Sequence, residues 1–224
     1  MAIDRWMLHQ QLEGAPPLLR LYRWSRPAVS LGRHQLRWPE HWRSLQAQGR
    51  IDLVRRASGG RAVLHAGELT YAIAMRPAQR QREAVYRHCC GWLQQAFAAA
   101  GEPLGFGEAS AAAAAQRSSC FATATAADLI AADGSKRIGS AQLWQGPALL
   151  QHGSVLIDPP RALWQELFAA DPPAVRPLPW QGDALDQQLR LAAQVHLCGA
   201  RLLDQPLNGA EWAAVRELEP LRAP

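Results

Sequence analysis

The sequence predicts a mixed α and β chain forming a single domain, and three observations carry that expectation. Short β-prone runs recur between Leu18 and Met75. The apolar period then switches to that of a helix over residues 79–100. The stretch RRASGGRAVLH, Arg55 to His65, sets two glycines and a serine between strand-like runs. A chain of 224 residues that is 48% hydrophobic and 19% charged can bury a sizeable core. No internal repeat is evident.

The elements follow in order. Residues Leu18–Trp24 and Ala28–Leu31 read as two strands around a turn at Ser25, Arg26 and Pro27. A third strand ends at Arg55, the glycines form its connection, and AVLH and LTYAIAM resume strand character, with Leu69, Tyr71, Ile73 and Met75 alternating onto one face. Over 79–100, Val85, Cys89, Trp92, Leu93, Ala96, Phe97 and Ala100 recur at helical spacing, and Gly101 is placed to end the helix. The run ASAAAAAQRSS, 109–119, has helix-favouring alanines but no large apolar group to pack, which predicts a mobile loop. Asp133-Gly134 in DLIAADGSKRIGSAQ is a hairpin signal. LLQHGSVLI reads as a buried strand interrupted by glycine. After Asp158-Pro159-Pro160, helices are expected in RALWQELF, over 184–203 and in EWAAVREL, with DPPAVRPLP as a linker. The expected organisation is one domain over 1–224, with a core over about 1–160 and a helical part over about 161–224.

Several function classes are excluded at this level. No apolar run reaches the roughly 18–20 residues of a membrane span, and MAIDRWMLHQQ lacks the layout of a signal peptide, so a cytoplasmic protein without a membrane partner is expected. The cysteines at 89, 90, 120 and 198 form no CxxC pair and the histidines no HExxH, so no metal site is expected. The net charge of +5 comes from scattered arginines with no nucleic-acid-binding motif. It suits an acidic protein partner at least as well.

Candidate chemistry sits in four places. Ser58, Gly59, Gly60, Arg61 and His65 make a polar strip that could approach a ligand through backbone N–H groups; equally, the glycines could serve a positive-φ connection alone. The strip matches neither GxGxxG nor a GxxxxGK[ST] phosphate loop. Cys89, Cys90 and Cys198 fall in predicted helices as packing thiols. Cys120 follows Gln116-Arg117-Ser118-Ser119 in the polar loop, where a thiol would be accessible and near positive charge, or simply a loop cysteine. Of 24 basic residues only Lys136 is a lysine, which is either an ordinary solvated hairpin charge or a position that requires an amine, a compact charge able to give up a proton. His152, before Gly153 and Ser154, is either a site residue or a hydrogen-bonded core histidine.

RRASGGRAVLH with ELTYAIA, then SCF, KRIGSAQ and LQHGSVLID, in this order, resembles the lipoate/octanoate protein ligase and transferase family, which includes biotin protein ligases. MAIDRWML and YRWSRPAVSLGRHQ look like its first helix and early strands, so the likeness covers about residues 1–160. It implies an α+β domain on a mixed, largely antiparallel sheet with packed helices. GRAVLH followed by ELTY is most similar to the cysteine-dependent octanoyltransferase branch.

The resemblance further implies that Cys120 is an acyl-thioester nucleophile and Lys136 the active-site lysine. Substrate would be bound by Arg56, Ser58, Gly59, Gly60, Arg61, His65, Gly139, Ser140, Ala141, Gln142, His152, Gly153 and Ser154. Octanoyl-acyl carrier protein would be the donor, a lipoyl domain or glycine cleavage H-type protein the acceptor, and no cofactor would be needed. The alternatives are an ATP- and Mg-dependent lipoate ligase and a non-catalytic acyl or carrier-protein binding module. By this resemblance the accessory domain of large lipoate ligases is expected to be absent, which would favour transfer. Two departures stand out: Ala66-Gly67 replaces the Asp that usually follows the family histidine, and ATAT follows Cys120-Phe121 in place of PS-type residues.

Overall fold

The computed structural model describes residues 1–107 and 128–218. In ELTYAIAM all residues but the last are buried, because this strand, β5 (Glu68–Met75), lies inside a sheet covered on both faces. Its neighbours are β1 (Leu18–Tyr22) and β9 (Ala148–Leu156), followed outward by β8 (Lys136–Gln145), β7 (Leu129–Ile130) and β6 (Gly105–Phe106), and every pairing is antiparallel. Alternation along β5 divides its side chains between two cores. Leu69, Tyr71 and Ile73 pack with Trp92, Leu93 and Phe97 of α3 (Arg82–Ala99) and with Leu185 and Leu189 of α5 (Gly182–Ala193). The small Ala72 and Ala74 face Trp6, Met7 and Leu8 of α1 (Ala2–Leu12) and Val215 of α6 (Gly209–Glu217).

A second sheet is mixed. Its central strand β2 (Ala28–Leu31) runs parallel to β3 (Asp52–Arg55) and antiparallel to β4 (Val63–His65). Val29, Leu31, Leu53 and Leu64 pack with Trp42 and Leu45 of α2 (His41–Ala47) and with Trp164 and Leu167 of α4 (Arg161–Phe168). The Trp42 indole N–H donates to the Leu167 carbonyl at 2.9 Å, giving the buried ring a polar partner and tying α2 to α4. The architecture is the α+β class expected: a mixed, largely antiparallel arrangement with packed helices.

Some expectations require correction. β1 and β2 exist close to their predicted bounds but are not a strand pair. β1 is a half-buried edge against β5, whereas every residue of β2 is buried and bonds to β3 and β4 in the other sheet. Helix over 184–203 is cut short: α5 gives way to a π-helical turn at Gln194–Cys198 and ends at Gly199, whose φ of 60° is left-handed. Helix α2 and the short β6 were not anticipated. The Asp133-Gly134 turn does join β7 to β8, with Gly134 at φ 81°. The loop expected at 109–119 lies outside the described residues.

Gly153 shows how closely the two sheet-forming strands approach their neighbours. A Cβ there would meet Tyr71 Cε1 at 2.5 Å, the Gly139 carbonyl oxygen at 2.7 Å and Ser140 Oγ at 2.9 Å. Gly153→Ala is therefore expected to cost about 1–3 kcal/mol through overpacking, measured by urea unfolding. An unchanged midpoint would show that β9 can shift away from β8 without loss.

Candidate active site

The glycine loop is held by an arginine. Arg56, immediately after β3, is buried, and a buried guanidinium must have its N–H groups accepted. Its Nη1 donates to the Ser30 carbonyl (2.8 Å) and Ser30 Oγ (3.1 Å), while Nη2 donates to the carbonyls of Gly59 (2.8 Å) and Arg61 (2.6 Å). The loop thus curls around the charge. Gly60 supplies the required φ of 92°, and its carbonyl oxygen occupies the space of a Cβ on Gly32, 1.8 Å from that position. A Cβ on Gly59 would meet nothing within 4 Å. Gly32 is thus demanded by the protein's own packing, whereas Gly59 faces open space.

That space is a cavity of about 420 Å³ between the loop and strands β8 and β9, within the range of small-ligand pockets. Arg56, Gly59, Gly60, Arg61, His65, Lys136, Gly139, Ser140, Ala141, Gln142, His152, Gly153 and Ser154 all line it, so the structure brings together thirteen of the fourteen described residues singled out in the sequence. Pairing of β8 with β9 places Gly139 opposite Ser154, Ser140 opposite Gly153 and Ala141 opposite His152. Lys136, at the start of β8, is buried and donates from Nζ to Asp128 Oδ1 at 2.9 Å. Two buried polar atoms of lining residues, Arg61 Nη1 and Ser154 Oγ, have no hydrogen-bond partner among the described residues. Such atoms are costly unless a ligand or solvent group meets them.

Two histidines form polar chains behind this wall. His152 Nδ1 donates to Asp4 Oδ2 at 3.1 Å, and its Nε2 lies 2.5 Å from Ser58 Oγ. Asp4 also accepts from Arg20 Nη1 at 3.1 Å. Burial alone would push the Asp4 carboxyl up; the hydrogen bond from His152, with the positive charges around it including Arg20, outweighs this and holds it at about 2. His65 Nδ1 lies 2.6 Å from Glu68 Oε1, and Nε2 lies 2.8 Å from Ser30 Oγ. His152 is a histidine hydrogen-bonded on both nitrogens, and it also lines the cavity.

Two site expectations change. Ser58 is turned into the wall toward His152 and does not line the cavity. Arg56 lines it, but its guanidinium is engaged with the loop carbonyls. Cys120 lies outside the described residues. Cys89 and Cys90 are buried packing thiols, and burial, with Cys90 adjacent, pushes Cys89 up to about 12. Cys198 is exposed, because the π-helical turn carries it off the packed face, so it is not a packing thiol. Sequence reasoning missed Met1, Ser30, Val63, Thr70, Tyr86 and Asp128 in the lining. Asp128 had a signal: a lone lysine opening a buried strand needs a carboxylate, and this one immediately precedes the partner strand. Among the described residues no group of three or more His, Cys, Asp and Glu could hold a metal ion, and no helix is long and apolar enough to cross a membrane.

Residues 1–173 match the lipoyl protein ligase A/B catalytic domain. The chain belongs to this family. Among relatives of this lipoyl protein ligase A/B family member is octanoyltransferase LipM of Moorella thermoacetica, 36% identical over 163 residues, covering 70% of this chain and 60% of that protein. Octanoyltransferase LipM of Kyrpidia tusciae is 32% identical over 233 aligned positions, covering 99% of this chain and 79% of that one. The chain thus spans three fifths of the length of the first relative. In structure it superposes on lipoate-protein ligase A bound with ATP (TM-score 0.77, 19% identity, 97% of this chain and 87% of that one). It also superposes on the bi-partite lipoate protein ligase of Thermoplasma acidophilum (TM-score 0.74, 18% identity, 97% and 85%). These two likenesses establish the fold.

The Asp4 carboxylate makes acid stability a test of the His152 chain. Its folded value near 2 lies below the ordinary 3.8, so its contribution is complete above about pH 4 and lost as pH falls toward 2. Urea unfolding from pH 5 to 2 should show the protein losing about 2 kcal/mol more than Asp4→Asn over that window. Parallel losses in the two proteins would mean that Asp4 is not held ionised by His152.

Proposed function

We propose that the chain is an octanoyltransferase of protein lipoylation, moving octanoate from acyl carrier protein through a thioester on Cys120 to a lysine of a lipoyl domain or glycine cleavage H-type protein. The observation that carries the reading is that the chain's one lysine is buried in the wall of the cavity, fixed by Asp128. Arginine serves every other cationic position, so the buried amine has a use that arginine lacks. The octanoyltransferase names of relatives over 30% identical support the same reaction.

In this mechanism the Lys136 ammonium stabilises the Cys120 thiolate, whose sulfur attacks the carbonyl carbon of the donor thioester. Arg61 Nη1, Ser154 Oγ and the backbone N–H groups of Gly139 to Ala141 that point away from β9 are the donors offered to the developing oxyanion; β8 pairs with β9 through these residues, which takes alternate N–H groups, while its pairing with β7 ends at Ile138. The donor thiolate leaves and takes a proton, and the acyl group remains on Cys120. The ε-amine of the acceptor then attacks the new thioester, the C–N bond forms, the C–S bond breaks, and the amine's proton returns to the cysteine–lysine pair. Thioester exchange is nearly balanced and amide formation is downhill, so the reaction needs no ATP.

Transfer from octanoyl-acyl carrier protein to a lipoyl domain should proceed without ATP or magnesium. Lys136→Arg should slow it at least about a hundredfold, the scale of a positioned proton-transfer group. Strict ATP dependence with pyrophosphate release would instead make the protein a lipoate ligase. Near-normal transfer by Lys136→Arg would reduce the amine to a generic cation.

A further inference from the structure

Five side chains of β5, β8 and β9 form a hydrogen-bond chain that ends at the cavity. The Trp144 indole N–H donates to Gln142 Oε1 at 2.9 Å, and Gln142 Nε2 donates to Gln151 Oε1 at 2.8 Å. Gln151 Nε2 then donates to the Tyr71 hydroxyl at 3.0 Å, and that hydroxyl lies 2.7 Å from Ser140 Oγ. An indole N–H can only donate, so it fixes which end of the Gln142 amide is oxygen, and that amide fixes the next. Tyr71, having accepted from Gln151, has its single proton left for Ser140. Burial raises the Tyr71 phenol well above its ordinary range, which keeps that proton in place.

Ser140 therefore accepts from Tyr71 and keeps its own proton to give. Tyr71 and Gln151 are fully buried, whereas Ser140 is half-buried and lines the cavity. Its other hydrogen-bond neighbour among the described residues is Cys90 Sγ, 4.0 Å away. A thiol sulfur is a weak acceptor, and this one already takes Gln151 Nε2 at 3.2 Å. Lys136, Ile138 and Ser140 alternate onto one face of β8, the face on which Ile138 packs with Trp92 and Leu93 of α3. Asp128, the partner of Lys136, lies near enough to Cys90 that its charge adds to burial in raising that thiol. The open end of the chain and the lysine–aspartate pair thus share one side of the cavity.

We propose that Ser140 donates a hydrogen bond to the carbonyl oxygen of the acyl group bound beside Lys136, and that Trp144, Gln142, Gln151 and Tyr71 are positioning residues that hold its hydroxyl in that sense. The identity of the ligand rests on the transferase reading above. A carbonyl oxygen accepts and cannot donate, so it suits a hydroxyl already committed to donating. Without the chain that hydroxyl would be free to turn away.

The probe is ethyl heptyl ketone, isotopically labelled at its carbonyl, which has the octanoyl chain and a methylene in place of the thioester sulfur. Isotope-edited infrared spectra of the ketone bound to the full chain should show one carbonyl band, at lower frequency than in Ser140→Ala. That variant should also bind the ketone roughly three- to tenfold more weakly, the loss of one hydrogen bond. Tyr71→Phe and Trp144→Phe, each checked for folding by thermal unfolding, should split the band into bonded and unbonded components, although neither side chain lines the cavity. No bound ketone, or a band that Ser140→Ala leaves in place, overturns the donor. A single unshifted band in both phenylalanine variants overturns the chain's part in holding it. In the transfer assay Ser140→Ala should lower kcat about a hundredfold, the scale of losing one positioned donor to a developing oxyanion. An unchanged kcat overturns a role in the reaction. The ketone has no leaving group, so a band that depends on Ser140 in a protein that transfers no octanoate would sink the transferase reading while the hydrogen bond stands.

Discussion

The burial of one guanidinium organises this molecule. Arg56 has left water, and its N–H groups must be met inside the protein. The acceptors within reach are the carbonyls of Ser30 on the central strand of the small sheet and of Gly59 and Arg61 on the loop. Satisfying the charge therefore forces the loop back over β2, with Gly60 in a left-handed conformation and Gly32 stripped of a side chain to admit it. The loop's other side, at Gly59, is left open as one wall of the cavity. A residue expected to touch substrate is spent instead on shaping the loop that walls the cavity.

The same demand for satisfied polar groups extends outward on both flanks of the loop. Ser58 leans on His152 and Asp4, which tie it to β9 and α1 of the large sheet layer. Ser30, already accepting from Arg56, leans on His65 and Glu68 at the junction of β4 and β5. Each chain ends on a carboxylate, but the two carboxylates differ. Asp4 is met by His152, Arg20 and Tyr22, whereas one oxygen of Glu68 has no hydrogen-bond partner among the described residues.

Much of this was legible in the sequence because it rests on local rules. Period-two and period-3.6 patterns located β5, β9 and α3 within a few residues, and the Asp133-Gly134 turn set the β7–β8 connection. The order of short motifs brought the cavity lining together, since β8 and β9 pair in a register that faces Gly139–Gln142 against Gln151–Ser154. What escaped was non-local. Nothing near Ser25–Pro27 announces that the strands on either side belong to different sheets, because that depends on β5 competing for β1. The acid behind His152 is likewise set by packing, with Asp4 lying 148 positions away. The exposure of Cys198 follows from a π-helical turn that no simple periodicity encodes.

The central claim is covalent, and intact-protein mass spectrometry addresses it directly. The protein is mixed with octanoyl-acyl carrier protein in the absence of any acceptor, ATP or magnesium. The account predicts the mass of one octanoyl group on the protein, removed by hydroxylamine, carried by the peptide containing Cys120 and absent from Cys120→Ser. Label on Cys89, Cys90 or Cys198, or a protein that transfers octanoate while never carrying it, would contradict the account.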